Sequence, residues 1–182
     1  MLKSERLWLL PADPVLAEAA AEYYVRNREF LRPFNPVREE IFYTAEYQRE
    51  LLQQEQQSWA KKQSFRFYIC LPEQTNRIIG LVGLNNVVWG AFCSCTLGYK
   101  LDEDYVNQGY MTEAVTLVSA YAFTELGLHR IEGNVMPRNL PSRRVLEKCG
   151  FENEGLSRYY LKINGVWEDH IHMVKLNWSM HE

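Results

Sequence analysis

The sequence predicts an α+β fold built on a mixed sheet of about seven strands. Three observations carry that expectation. Apolar runs, alternating or continuous, read as strands at 5–10, 65–71, 78–88, 93–101, 130–136, 156–163 and 167–176. Helical periodicity separates only some of them, giving the order β-α-α-β-β-β-α-β-α-β-β, antiparallel at its start and βαβ in its middle. Asn164-Gly165 between the last two runs is a strong hairpin signal. The sequence holds neither a G-x-G-x-x-G fingerprint nor a Walker loop, which argues against a nicotinamide enzyme and a P-loop NTPase.

Each helix has a start signal. Asp13-Pro14 supplies an N-cap with proline at the first helical position, followed by Leu16, Ala19, Ala20, Tyr23 and Tyr24 on one face. The loop Leu31-Arg32-Pro33-Phe34-Asn35-Pro36 ends that region. Thr44 opens a second helix with Tyr47, Leu51, Leu52 and Trp59 inward and a Gln-rich face outward. Trp89-Gly90-Ala91 turns the chain into the strand at 93–101. A helix over 109–126 carries Met111, Val115, Val118 and Ala122 on one stripe. Asn139 caps a short helix that ends at Cys149-Gly150, glycine being the expected residue there.

At 182 residues the chain is most simply one domain, residues 1–182, with room for a sizeable core. No apolar run approaches the roughly 20 residues of a membrane span, and the N-terminus lacks a signal-peptide core. A cytoplasmic protein with no membrane partner is expected. The formal net charge is −3 and no block of Lys or Arg occurs, which disfavours nucleic acid as a partner. The mild acidity would suit a basic substrate. Of Cys70, Cys93, Cys95 and Cys149, only the middle pair is close, on one strand face and not at zinc-site spacing; all four are expected as reduced packing residues, with no metal.

The most informative stretch is Tyr105-Val106-Asn107-Gln108-Gly109-Tyr110-Met111-Thr112-Glu113-Ala114. A strand delivers the chain to a loop at a helix N-terminus. The first helical amides there lack partners and the dipole adds positive charge, so the arrangement can bind an anion. Gly109 would let a pyrophosphate approach the backbone. An ordinary strand-to-helix turn has the same pattern.

The segments Asn139-Leu140-Pro141-Ser142 and Val145-Leu146-Glu147-Lys148-Cys149-Gly150-Phe151, following that strand, loop, helix and strand, resemble the core of the GNAT acetyltransferases. Within that superfamily the chain resembles the RimJ/RimL ribosomal-protein N-acetyltransferases. The supporting segments are Tyr23-Tyr24, Asn27-Arg28-Glu29-Phe30-Leu31, Pro36-Val37-Arg38-Glu39, Asn86-Val87-Val88-Trp89-Gly90-Ala91-Phe92 and Cys95-Thr96-Leu97-Gly98-Tyr99. His129-Arg130-Ile131, Met136-Pro137-Arg138-Asn139 and Gly165-Val166-Trp167-Glu168-Asp169-His170 complete the set. The loop departs from the superfamily pattern, with Val106 where Gln or Arg is usual, Asn107 in place of a common Gly, and Met111 where a small residue is usual. Backbone amides matter more there than side chains, so cofactor binding is expected to survive.

The resemblance implies the GNAT acyl-CoA N-acyltransferase fold, with helices on both faces of the sheet, and acetyl transfer from acetyl-CoA to an amine. It implies pyrophosphate on the amides of Val106, Asn107, Gln108, Gly109, Tyr110, Met111 and Thr112. A backbone N–H between Tyr99 and Leu101, on a strand that splays from its neighbour, would serve as the oxyanion donor, with Gly98 compatible with a local distortion. Ser142 would protonate or hold the leaving thiolate, or else serve only the helix N-terminus. Asn139 is an N-cap first and a ligand to the cofactor arm second. Glu29, Phe30 and Leu31 would border the acceptor groove. The acidic base of RimL-like proteins falls near Leu161 and is not carried over. Glu29, Glu103, Glu132 and Asp169 stay open as water-relayed bases, His170 and His172 read as structural, and Tyr159 and Tyr160 as packing or groove-lining residues.

Three functions follow. The first is acetylation of a protein N-terminal α-amine, with an alanine-starting small-subunit ribosomal protein as partner. The second is acetylation of a small amine such as an antibiotic or polyamine. The third is a ribosome-assembly binding protein whose catalysis is secondary. Fold alone does not choose among them.

Overall fold

A computed structural model of the chain describes residues 1–181. Its eight strands form one sheet in the order β1-β2-β3-β4-β5-β6-β8-β7. They are β1 (Leu2–Lys3), β2 (Trp8–Pro11), β3 (Phe65–Cys70), β4 (Gly80–Val88), β5 (Ser94–Leu101), β6 (Arg130–Val135), β7 (Glu152–Ile163) and β8 (Val166–Leu176). A turn at Ser4–Leu7 occupies the start of the predicted strand at 5–10, leaving β2 at Trp8–Pro11, and the eighth strand is a further short one before that turn. Ser4 N–H donates to Leu7 O at 2.9 Å and Leu7 N–H donates to Ser4 Oγ at 3.0 Å. Residues 2–3 therefore fold back onto β2, Leu2 opposite Leu9.

The helices are α1 (Ala17–Arg26), α2 (Arg28–Leu31), α3 (Ala45–Ala60), α4 (Tyr110–Thr124) and α5 (Leu140–Lys148). The caps read from the sequence form. Asp13 accepts from Val15 N–H over a single 3-10 turn that precedes α1, Thr44 accepts from Tyr47 N–H, and Asn139 accepts from Ser142 N–H. No helix among the described residues is long and apolar enough to cross a membrane.

Helices cover both faces. Tyr68, Leu81 and Lys100 are paired neighbours across β3, β4 and β5 and so project from one face. Tyr68 and Leu81 pack there with Leu16, Ala20 and Tyr23 beneath α1 and Leu52 of α3. On the other face Val82, Leu97 and Ile131 pack with Met111, Val115 and Val118 of α4 and Leu146 of α5. Gly133 allows α5 to seat this closely, since a Cβ there would lie 2.7 Å from Leu146 Cδ2.

One pairing ends early. β5 and β6 are parallel and meet only at Ser94–Arg130, Cys95–Ile131 and Thr96–Glu132. Beyond that point β5 stays with β4 as far as Leu101, and β6 stays with β8 as far as Val135. The sheet is forked. The distortion expected at Gly98 is absent, because the β4–β5 ladder runs regularly through Gly83–Gly98. Its register shifts instead between Asn85 and Val88, where Asn86 takes a φ of 50°. Cys93 falls just before β5 at a φ of 46°, its thiol against Gly127 O, and so does not share a strand face with buried Cys95.

The chain leaving the β5 tine is tied to α1. Asp102, 1% exposed, accepts from Arg26 Nε at 2.7 Å, and Arg26 Nη2 also donates to Ile78 O at 2.8 Å. Asn27 Oδ1 accepts from Glu103 N–H at 2.9 Å. Removing one partner of a buried pair leaves an uncompensated charge. Arg26→Met should therefore destabilise the fold by about 3 kcal/mol, lowering the melting temperature by roughly 10 °C for a chain of this size. Thermal unfolding followed by circular dichroism checks this, and an unchanged midpoint would contradict it.

Candidate active site

The fork exposes backbone. Asp102 N–H donates to Ile79 O, so residue 102 faces β4. Amide direction alternates along an antiparallel strand, which turns the N–H groups of Tyr99 and Leu101 away from β4 and into the gap that β6 has left. An oxyanion site needs fixed donors of this kind at a place a carbonyl can reach.

The second part is the start of α4. Gly109 is its N-cap, at a φ of 81° that L-residues avoid, and it offers no side-chain cap. The amides of Tyr110, Met111 and Thr112 are thus the open donors of a first helical turn. Asn107 also takes a positive φ of 61°, and the only heavy atom within 4 Å of a Cβ at Gly109 would be an Arg6 guanidinium nitrogen at 3.5 Å. This geometry fits the pyrophosphate of a CoA thioester. Met111 is buried in the core below the loop, so its size does not obstruct the amides. Arg6, which the sequence did not single out, braces the loop. It donates to Gln108 O at 3.0 Å, lies over the Tyr110 ring, and spends its charge on Glu113.

The third part joins β5 to α5. Tyr99 Oη donates to Ser142 O at 2.9 Å and lies 2.8 Å from Ser142 Oγ. Burial pushes the Tyr99 phenol well up, so it stays protonated. Asn139, at the cap of α5, holds the Ser142 amide.

The fourth part is a cavity of about 230 Å³ on the α1 face, lined among others by Tyr24, Glu29, Leu31, Arg38, Phe42 and Lys100. Glu29 and Leu31 border it, whereas Phe30 is half-exposed outside it. Segments far apart in sequence close its rim. Val37 N–H donates to Asn164 Oδ1 at 2.9 Å, and Asn164 Nδ2 donates to Arg32 O at 3.0 Å, so the β7–β8 turn is pinned to the loop after α2. The cavity is basic although the chain is acidic. Arg28 and Arg32 are paired with Glu40 and Glu29. Lys100 and Arg38 instead lie over the Tyr24 and Phe42 rings, and among the described residues neither has an ion pair.

The candidate bases are scattered. Glu29 is on the cavity rim, Glu103 on the exposed turn before the loop, Glu132 is bound to Arg130, and Asp169 accepts from Tyr159 N–H. His170 and His172 both stack on Tyr160, and His172 Nε2 lies 2.7 Å from Ser157 Oγ. No group of three or more His, Cys, Asp or Glu among the described residues could hold a metal.

Lys100 also escaped the sequence reading. A lysine inside an alternating strand resembles any solvent-facing residue, and only the fold turns it under α1. Burial, then Arg66 and Arg38, push its pKa from 10.5 down to about 8. Its folded value lies below the unfolded one. The penalty is therefore full below about pH 8 and fades as pH rises through about 10.4, where the unfolded chain loses the proton too. Lys100→Met should raise the melting temperature at pH 7 by roughly 10 °C, from a penalty on the order of 3 kcal/mol. The gain should shrink by pH 10. Melting curves of both proteins across this range check it, and a destabilised variant at pH 7 would refute it.

Comparison with known proteins agrees with this geometry. Residues 6–152 match the family described as Acetyltransferase (GNAT) domain. The chain is 44% identical over 177 residues to the probable N-acetyltransferase YjcK of Bacillus subtilis, covering 97% of each. It is 39% identical over 153 residues to the [ribosomal protein uS5]-alanine N-acetyltransferase of Escherichia coli, covering 83% of this chain and 77% of the other. The crystal structure of the ribosomal-protein-S5-alanine acetyltransferase from Vibrio fischeri superposes with a TM-score of 0.91 at 34% identity, covering 96% and 95% of the two chains. The chain therefore belongs to the GNAT acetyltransferases, in their RimJ-like branch, and is an acetyl-CoA-dependent N-acetyltransferase.

Proposed function

We propose that this enzyme acetylates the N-terminal α-amine of a protein, an alanine-starting small-subunit ribosomal protein, by direct attack within a ternary complex. The observation that carries the reading is the wall of the cavity. It is built from residues of the 24–43 stretch together with Lys100, the β7–β8 turn is pinned to its rim through Asn164, and the chain that forms it aligns with the E. coli ribosomal-protein enzyme over 153 residues.

Acetyl-CoA supplies the acetyl group as a thioester. The amides from Val106 to Thr112 hold its pyrophosphate and Asn139 borders its arm. The N–H groups of Tyr99 and Leu101 receive the charge that develops on the carbonyl oxygen. Ser142 Oγ donates a proton to the departing sulfur, and Tyr99 Oη, 2.8 Å away, holds that hydroxyl in place. Glu29 and Leu31, with Phe30 just outside, contact the acceptor. No strong base is required: the proton that the attacking amine sheds leaves through water, and water returns a proton to the Ser142 hydroxyl, so the products are the amide and the free thiol. An α-amine is about a tenth neutral at pH 7, whereas a lysine ε-amine is less than about a thousandth neutral.

Ser142→Ala should lower kcat by about a hundredfold or more while changing the KM for acetyl-CoA little, as expected of a group used only in the transition state. Steady-state thiol release measures both, and an intact kcat with a raised KM would return Ser142 to its capping role. The acceptor is tested with two peptides of one alanine-starting sequence, one with a free N-terminus and blocked lysines, the other the reverse. Mass spectrometry should find acetyl on the first. Modification of the second, or of small amines alone, would overturn the reading.

A further inference from the structure

The cavity beside the fork holds a feature that amine acetylation does not require. Lys100 is one residue along β5 from both oxyanion amides, and its side chain projects to the opposite face from Tyr99, under α1. It is partly buried, lies 5.6 Å from the Tyr24 ring centroid, and shares the cavity wall with Arg38. Arg66 nearby is neutralised by Glu55 at 2.5 Å, and the rim arginines Arg28 and Arg32 have carboxylates of their own. Lys100 and Arg38 are left as adjacent cations without a counter-charge among the described residues. A desolvated, unpaired ammonium beside a second cation is held against its own electrostatics. An anion entering this cavity would find donors from both groups, in a partly dehydrated place where a charge-assisted hydrogen bond is strong.

We propose that this cavity is an anion subsite of the acceptor, in which Lys100 and Arg38 bind the carboxylate of an acidic side chain close behind the amine that is acetylated. The inference rests on the proposed N-terminal acetylation and narrows its substrate class to N-termini with Asp or Glu in the first few residues. It also accounts for the contrast between an acidic chain and a basic cavity. The volume of about 230 Å³ suits a side chain or two. The Tyr24 and Phe42 rings offer apolar walls to the aliphatic part of such a residue.

The test uses alanine-starting peptides of equal length with blocked lysines, carrying Glu or Gln at position 2, 3 or 4. Each is assayed at pH 7 for thiol release from acetyl-CoA. At one position at least, Glu should be preferred over Gln by about tenfold or more in kcat/KM, chiefly through KM. In Lys100→Met that ratio should fall to within about twofold of unity, and in Arg38→Gln it should fall part of the way. A wild-type ratio near unity at every position, with the α-amine still acetylated, would overturn the anion subsite and leave the proposed function standing. So would a preference that survives Lys100→Met in a protein whose melting curve shows it folded. A parallel arm compares free glutamate with glutamine as acceptors. Acetylation confined to the small anionic amine, with every peptide untouched, would overturn both the N-terminal reading and the acidic-peptide assignment.

Discussion

The parting of β5 from β6 is the constraint on which the rest of this molecule depends. A parallel pair normally continues until one strand ends, because each unpaired amide in a covered sheet is costly. Here the pair stops after three registers while both strands run on, each held by its other neighbour. The amides of Tyr99 and Leu101 are stranded in an otherwise well-paired sheet. The gap is also the one place where reagents approaching from opposite faces can meet. The α4 and α5 side brings the open helix start and the Tyr99–Ser142 pair. The α1 side brings the cavity with Lys100.

The two sides differ in electrostatic design. On the α4 and α5 side, proposed to hold the cofactor, positive character comes from backbone. Gly109 leaves the first turn of α4 open, and the nearby cation, Arg6, is already committed to Glu113. Fixed amide dipoles need no rearrangement as charge appears. On the α1 side, proposed to take the acceptor, positive character comes from side chains, and two of them are unmatched among the described residues. Such a group lowers stability for as long as the cavity holds nothing of opposite sign, a strain of the kind proteins retain at working sites.

Much of this was legible in the sequence, for local reasons. Asp13, Thr44 and Asn139 cap as read, Asn164-Gly165 turns the hairpin, and Met111, Val115, Val118 and Ala122 all face the core. Gly109 at the start of α4 is likewise a local signal. What escaped was non-local. The fork was implied only by the family resemblance and cannot be read from Gly98, because it is made by where β6 pairs and not by a defect in β5. The turn at Ser4–Leu7 takes the start of the run at 5–10 and sets a further short strand before it, through a serine side chain that composition treats as neutral. Lys100 and Arg6 are ordinary surface residues until α1 and the α4 loop are laid over them. The net charge of −3 pointed to a basic substrate, yet the cavity wall is cationic, since a sum over the chain carries no information about which charges converge.

The joint between α1 and the end of β5 couples the two halves. Arg26 and Asn27 lie at the close of the helix beside the cavity, and Asp102 and Glu103 stand where β5 gives way to the cofactor loop. Residues in direct contact do not tolerate change independently. Drift toward a new acceptor that reshapes the end of α1 is felt by the loop before α4, which is proposed to hold an unchanged CoA. In lineages that diversify on this scaffold, these four positions should covary as a set, while the cavity rim, anchored through Asn164 to a different part of the chain, is free to vary. Acceptor choice can then evolve by exchanging the rim, without renegotiating the grip on the acyl donor.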